Sequence, residues 1–280
     1  MKSVVEPQFA VETAAFVADV EAIERECGGR LRFAARDLRT GATLRYHADT
    51  PCKTASVIKL PILIHVALAV REGALDWNEP LTLTDAEKVD GSGVLKQLTA
   101  GLQMSLHDVC VLMTTVSDNT GTNMVIERVG TEAINGRMRA LGLPITTCFR
   151  KAYAPDTEAS RVYGLGVTTA NETLELLTRL AEGGIGDAAL GKDLIKIMEG
   201  QHYRDGIPRQ LPEEWTYAGK TGAIDAVRND VGLITTPGGD RYALALFCQD
   251  LPRVQWTADN PGLIALARLA RRILVGTSRP

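Results

Sequence analysis

The stretch KTASVIKLPILIHVALAV, residues 53–70, constrains this chain more than any other. Its pattern predicts one helix, apolar on nearly every face from Val57 to Val70. A helix that is hydrophobic all round must be buried among other elements. Pro61 is tolerated near the helix start, where a missing N–H costs little. Yet the same stretch carries Lys59, three residues after Ser56, and a buried ammonium without a partner is expensive. Positions i and i+3 share a helical face, so the two side chains are neighbours. Two readings stay open at this point. Ser56 is a helix cap beside a solvated lysine, or it is a hydroxyl nucleophile beside an amine base. Between Lys59 and Arg71 only His65 is polar, which turns Lys59 toward an interior.

The elements around that helix set the fold class. Residues 8–27 have helical spacing and stop at Gly28-Gly29, where helices commonly end. Two strand-like runs follow, joined around Arg39-Thr40-Gly41. From about 55 to 205 the signals are helical, with starts marked by Thr84, Ser105 and Thr169. Strands return in TYAGKTGAI, DVGLITTPGG and RYALALFCQD, and a final amphipathic helix covers roughly 261–275. The economical architecture is α+β. An antiparallel five-stranded sheet with flanking N- and C-terminal helices is built from residues 1–54 and 206–280, and an all-helical domain from 55–205. Clefts favour domain boundaries, so a site is expected where the two parts meet.

Composition narrows the function classes. A net charge of −3, with both signs scattered, offers no basic stripe for nucleic acid. Arg271, Arg272 and Arg279 read as a solvated helix end. No apolar run is long enough to span a bilayer, and Glu6, Glu12, Asp19 and Glu21 interrupt any export signal. The expected setting is therefore cytoplasmic, or exported if a leader has been trimmed from this chain, with no nucleic-acid or membrane partner. Five dispersed cysteines, at 27, 52, 110, 148 and 248, suit reduced buried thiols rather than a disulfide framework. No metal-ligand spacing occurs and no cofactor is expected. Histidines 47, 65, 107 and 202 are isolated, and the glycine-rich spots lack a phosphate-loop lysine.

Three short motifs carry chemistry. In Ser56-Val57-Ile58-Lys59, a serine needs an adjacent base to become a nucleophile. Lysine serves only when neutral, so its ordinary pKa of about 10.4 must fall toward 7–8. Burial, a positive helix end and a second cation all push that way. Ser117-Asp118-Asn119 is either a common turn or a second hydroxyl that relays a proton, with an amide for substrate. Lys220-Thr221-Gly222 is either an edge-strand lysine or a grip for a substrate carboxylate, with Gly222 letting substrate backbone approach. The backbone N–H groups of Ser56 and Ala223 would then form an oxyanion hole.

The three motifs occur once each, in this order, 61 and 103 residues apart. Together they resemble the serine penicillin-recognising hydrolases, above all class A β-lactamases and the related serine hydrolases. GSGVL at 91–95 and SDNTGTNMVIERVG are similar to family stretches, and RND at 228–230 resembles the strand whose arginine, here Arg228, assists Lys220. The resemblance covers nearly the whole chain. It implies a β-lactamase/transpeptidase-like fold, and hydrolysis of a small carboxylate-bearing β-lactam through a Ser56 acyl-enzyme. Lys59 is then the base, Ser117 the proton relay, and Asn119, Lys220, Thr221, Gly222, Ala223 and Arg228 the substrate-binding set.

One part of the pattern departs from the family. Class A enzymes carry a deacylating glutamate in an E-x-x-L-N segment, and none occurs in residues 149–172. Ala154 falls near its place, leaving Glu158, then Asp156, as candidates. Other outcomes therefore stay in view: a D-Ala-D-Ala carboxypeptidase, a small-ester or amide hydrolase, or a sensor acylated without turnover.

Overall fold

A computed structural model describes residues 7–276. Glu6 and Arg279, used above, lie outside the described residues. By internal contacts the chain divides into two compact units. One holds the residues up to Cys52, Thr169–Thr178 and the chain from Arg204 onward; the other holds Lys53–Thr168 and Arg179–Tyr203.

The first unit is an antiparallel sheet of β1 (Arg30–Asp37), β2 (Thr43–Tyr46), β8 (Thr216–Ile224), β9 (Val227–Thr235) and β10 (Arg241–Gln249). Its strand order is β2-β1-β10-β9-β8, so β8 is an edge. The terminal helices α1 (Ala14–Cys27) and α9 (Pro261–Leu274) belong to it. Thr13 caps α1 by accepting from the Phe16 N–H, and Gly28 ends it in the left-handed conformation. Phe16, Val20 and Ile23 of α1 and Leu266, Leu269 and Ile273 of α9 share one core with Leu31, Phe33, Leu244 and Leu246 of the sheet. Each such side chain contributes about 1.5–3 kcal/mol on burial. Segment 169–178, the start of α7 (Ala170–Glu182), counts with the sheet. Asn171 explains this: its N–H donates to Ala48 O, its Nδ2 to Asp49, and its Oδ1 accepts from Arg45.

The second unit is mainly helical: α2 (Lys59–Arg71), α3 (Leu106–Thr115), α4 (Asn119–Val129), α5 (Thr131–Ala140), α6 (Glu158–Tyr163) and α8 (Ala188–Glu199), with the end of α7. Helices α3, α4, α5 and α8 all pack on α2, whose residues 59–69 are buried. That encirclement is why α2 can be apolar on every face. The stretch is not one helix, however. Residues 55–58 form a 3₁₀ turn and the α-helix begins only at Lys59.

The unit is also not all-helical as expected. Strand β4 (Pro80–Thr82) pairs with β5 (Gln103–Ser105), and β6 (Thr147–Cys148) with β7 (Gly166–Thr168), while β3 (Cys52–Lys53) lies beside β7. Strands of two or three residues are too short for an alternating pattern to declare itself. Among the described residues no helix is long and apolar enough to cross a membrane.

Candidate active site

Ser56 is half-buried on the 3₁₀ turn that leads into α2. Thr54 anchors the turn from below: its N–H and its hydroxyl both donate to Gly166 O at 3.0 Å. Ala55, immediately before Ser56, has φ 44°, a left-handed conformation that residues with a Cβ seldom adopt. Such strain persists only where the surroundings over-determine it. The turn does not use Ser56 as a cap: α2 starts behind Ile58 with no side-chain cap bond.

Lys59 points inward and is fully buried. Its ammonium donates to the Ser117 carbonyl at 2.7 Å, the Ser117 hydroxyl at 3.1 Å and Asn119 Oδ1 at 2.8 Å. Three acceptors from one motif gather around this nitrogen. The structure therefore joins the first two sequence motifs on one atom.

Ser117 itself lies at φ 56° and is buried. It fills the break between α3 and α4, and Ser92 Oγ donates to its carbonyl at 2.8 Å. Asn119 opens α4; its Nδ2 donates to Asp90 O and its N–H to Ser92 O, both at 3.0 Å. Asp118 has a role that sequence reasoning missed. Its carboxylate accepts from Gly121 N at 2.8 Å, Val94 N at 2.6 Å and Leu95 N at 2.9 Å. It thus caps α4 and also fastens the 91–95 loop. That loop needs its glycines: a Cβ on Gly93 would stand 2.3 Å from the Asp118 carboxylate, and one on Gly91 2.5 Å from Asn119 Nδ2. The signal was available in the spacing of GSGVL and SDN, but nothing local paired them.

The loop toward α6 carries the candidate deacylating acids. Asp156 is paired with Arg150 at 3.0 Å and accepts from Ser160 Oγ. Glu158 is exposed in the first turn of α6. Neither carboxylate joins the Lys59–Ser117–Asn119 cluster.

The third motif lies on β8 in the sheet unit. Lys220 is fully buried and donates to Thr221 O at 2.9 Å; Thr221 is half-buried, Gly222 buried and Ala223 exposed. Burial pulls the Lys220 ammonium down to about 7, against the opposing pull of Asp230. Asp230, on β9 opposite Thr221, is equally buried, and burial raises its carboxyl to about 7. It accepts from the Tyr217 hydroxyl and from Ile207 N at 2.7 Å. Burial and the neighbouring carboxylate raise Tyr217 in turn. Tyr217 and Asp230 were missed. The available signal was a carboxylate directly before the apolar run Val231-Gly232-Leu233-Ile234.

Arg228 pairs with Ala223 across β8 and β9. Its guanidinium donates to the carbonyls of Ile224 and Val227, both at 2.6 Å, and of Gln255, and it lies over the Trp256 ring at 4.6 Å. Three acceptors leave two of its five donors available. Among the described residues no cluster of acidic, cysteine and histidine side chains suits a metal ion.

Comparison with known proteins places the chain in a family. A family model described as the beta-lactamase enzyme family matches residues 15–275. A β-lactamase of Streptomyces albus G is 29% identical over 264 residues, which covers 87% of this chain and 79% of that protein. The crystal structure of a β-lactamase from Sphaerobacter thermophilus DSM 20745 superposes with a TM-score of 0.84 at 29% identity, over 96% of this chain and all of that one. A mutant of PBP-A, solved as an acyl-enzyme with penicillin G, superposes with a TM-score of 0.80 at 26% identity, over 91% and 93% of the two chains.

Proposed function

We propose, for a chain that belongs to the beta-lactamase enzyme family, that it hydrolyses β-lactams through an acyl-enzyme on Ser56. The observation that carries this reading is the buried Lys59 amine, one turn after Ser56, bonded to both oxygens of Ser117. Ser56 Oγ attacks the lactam carbonyl and Lys59, in its neutral form, takes the proton. The N–H groups of Ser56 and Ala223 stabilise the oxyanion. Ser117 passes its proton to the lactam nitrogen as the C–N bond breaks and recovers one from the Lys59 ammonium, which leaves the acyl group on Ser56. Asn119 donates to the substrate amide.

Lys220 and Thr221 hold the carboxylate of the substrate, and Gly222 admits its backbone. Arg228 adds positive charge and its two remaining donors. Water then releases the acyl group with Glu158 as base. Glu158 is exposed and stands outside the Lys59–Ser117–Asn119 cluster, so deacylation limits turnover. No cofactor takes part in these steps.

Steady-state loss of benzylpenicillin tests the reading. Wild type consumes it, and Ser56→Ala does not. Equal rates in the two proteins overturn the assignment.

A further inference from the structure

The active-site chemistry uses none of the five cysteines, which are all free and buried. Three of them are ordinary core thiols. Burial lifts Cys52 to about 11 and Cys148 to about 12, and it raises Cys110 further still. Thiols held that high carry almost no thiolate and are inert.

Cys27 and Cys248 differ from these. Their sulfurs lie 4.0 Å apart, although 221 residues separate them in the chain. Cys27 closes α1, Gly28 turns the chain at φ 71°, and β1 then runs back along β10, with Leu31 opposite Cys248. Gly29 is what permits the approach. A Cβ there would stand 2.9 Å from Cys248 Sγ and 2.9 Å from Gln249 O. The Gly29 N–H also donates to Cys27 Sγ at 3.4 Å, and the Cys27 thiol faces Glu24 O at 3.3 Å. A bonded disulfide has its sulfurs about 2.0 Å apart, so this pair must approach by about 2 Å to close.

We infer that Cys27 and Cys248 form a peroxide-reactive dithiol that closes to a disulfide between the end of α1 and β10. Cys27 is the attacking thiol. The contact with Cys248 and the Gly29 N–H lower the Cys27 thiol, while the same contact and burial raise Cys248. Cys27 is also the more accessible, at 6% exposure against none for Cys248.

In the first step the Cys27 thiolate attacks one oxygen of hydrogen peroxide, the O–O bond breaks and hydroxide leaves. In the second, Cys248 sulfur attacks the Cys27 sulfenic acid, the S–O bond breaks, and the departing hydroxide takes the Cys248 proton. Two thiols lose two electrons in all, and one peroxide becomes two waters. The cross-link joins the start of the sheet unit to its last strand and leaves Ser56, Lys59 and Ser117 untouched.

The test treats native wild type with hydrogen peroxide, blocks remaining thiols with N-ethylmaleimide and maps disulfides by mass spectrometry. A mass loss of about 2 Da with one linked pair, Cys27 to Cys248, is expected. Cys248→Ser should instead trap a sulfenic acid that dimedone labels at Cys27, and Cys110→Ser should behave as wild type. Wild type that retains five alkylatable thiols overturns the inference, as does a linkage through another cysteine. The wild-type map decides the question even where a variant folds poorly.

Discussion

Lys59 donates to the carbonyl oxygen of Ser117 at 2.7 Å and to its hydroxyl at 3.1 Å. One residue can present both oxygens to one amine because Ser117 sits at φ 56°. The strained backbone and the proton path are therefore the same feature. The same conformation lets the Asp118 N–H return to Leu112 O at 3.1 Å and close α3.

Ser117 variants should separate strain from chemistry. Ser117→Gly relieves the left-handed backbone, so it should be more stable than Ser117→Ala by about 1 kcal/mol. Both should acylate about 10²–10⁴-fold more slowly than wild type, since both lack the hydroxyl. Urea denaturation and stopped-flow acylation give the two numbers. A glycine variant no more stable than the alanine variant would remove the strain argument.

Asp118 is the structural hinge of the helical unit's site. Asp118→Ala leaves the N–H groups of Gly121, Val94 and Leu95 without their acceptor. A loss of about 3 kcal/mol or more is expected, because bonds to a charged group are worth about 1.5–3 kcal/mol each and overlap in effect. The midpoint of urea unfolding measures it. A change below about 0.5 kcal/mol would mean that the 91–95 loop is held by other contacts.

Lys220 and Asp230 give the protein a pH signature. Burial lowers Lys220 to about 7, so its ammonium, and with it carboxylate binding, is present below that pH and lost above it. KM for benzylpenicillin should rise as pH increases from 7 to 9, while Lys220→Arg, charged throughout, should show a flat profile. Lys220→Ala should weaken carboxylate-bearing substrates far more than neutral esters; equal losses on both count against the role.

Stability follows the same groups. Asp230 is raised from 3.8 to about 7, so the folded chain binds the extra proton between about pH 4 and 7 and loses stability as pH rises through that window. Lys220 is lowered from 10.5 to about 7, so stability returns between about pH 7 and 10. Asp230→Asn should flatten the acid side of this curve. The carboxyl is faced by Tyr217, Arg204 and Lys220, and an unchanged acid slope would assign the titration elsewhere.

Much of this molecule was legible in the chain because its signals are local. Apolar periodicity marked α1, α2 and α9, turn residues marked the hairpins, and the three motifs marked the chemistry. What stayed hidden depends on distant partners. Asp118 reads as a turn residue until Val94 and Leu95 arrive from 24 and 23 positions upstream. Asp230 becomes a buried carboxylate only beside Tyr217 on the neighbouring strand. The 3₁₀ turn around Ser56 was read as helix because hydrophobic spacing cannot distinguish a tightened first turn. Cys27 and Cys248 show the same limit, since only the β1–β10 pairing brings them together.

Glu158 tests the slow half of the cycle. It is exposed on α6, whereas Asp156 is held by Arg150 and Ser160. Glu158→Gln should leave acylation unchanged and lengthen the life of the penicilloyl adduct, by about tenfold for a modest general base. An adduct that decays at the wild-type rate would show that deacylation uses bulk water alone.

The most direct measurement is a time course of intact protein mass with benzylpenicillin, for wild type and Ser56→Ala. Wild type should gain one penicilloyl mass quickly and lose it slowly while penicillin is consumed, and Ser56→Ala should gain none. An equal adduct on Ser56→Ala, or penicillin consumed by both proteins alike, would contradict the acyl-enzyme on Ser56.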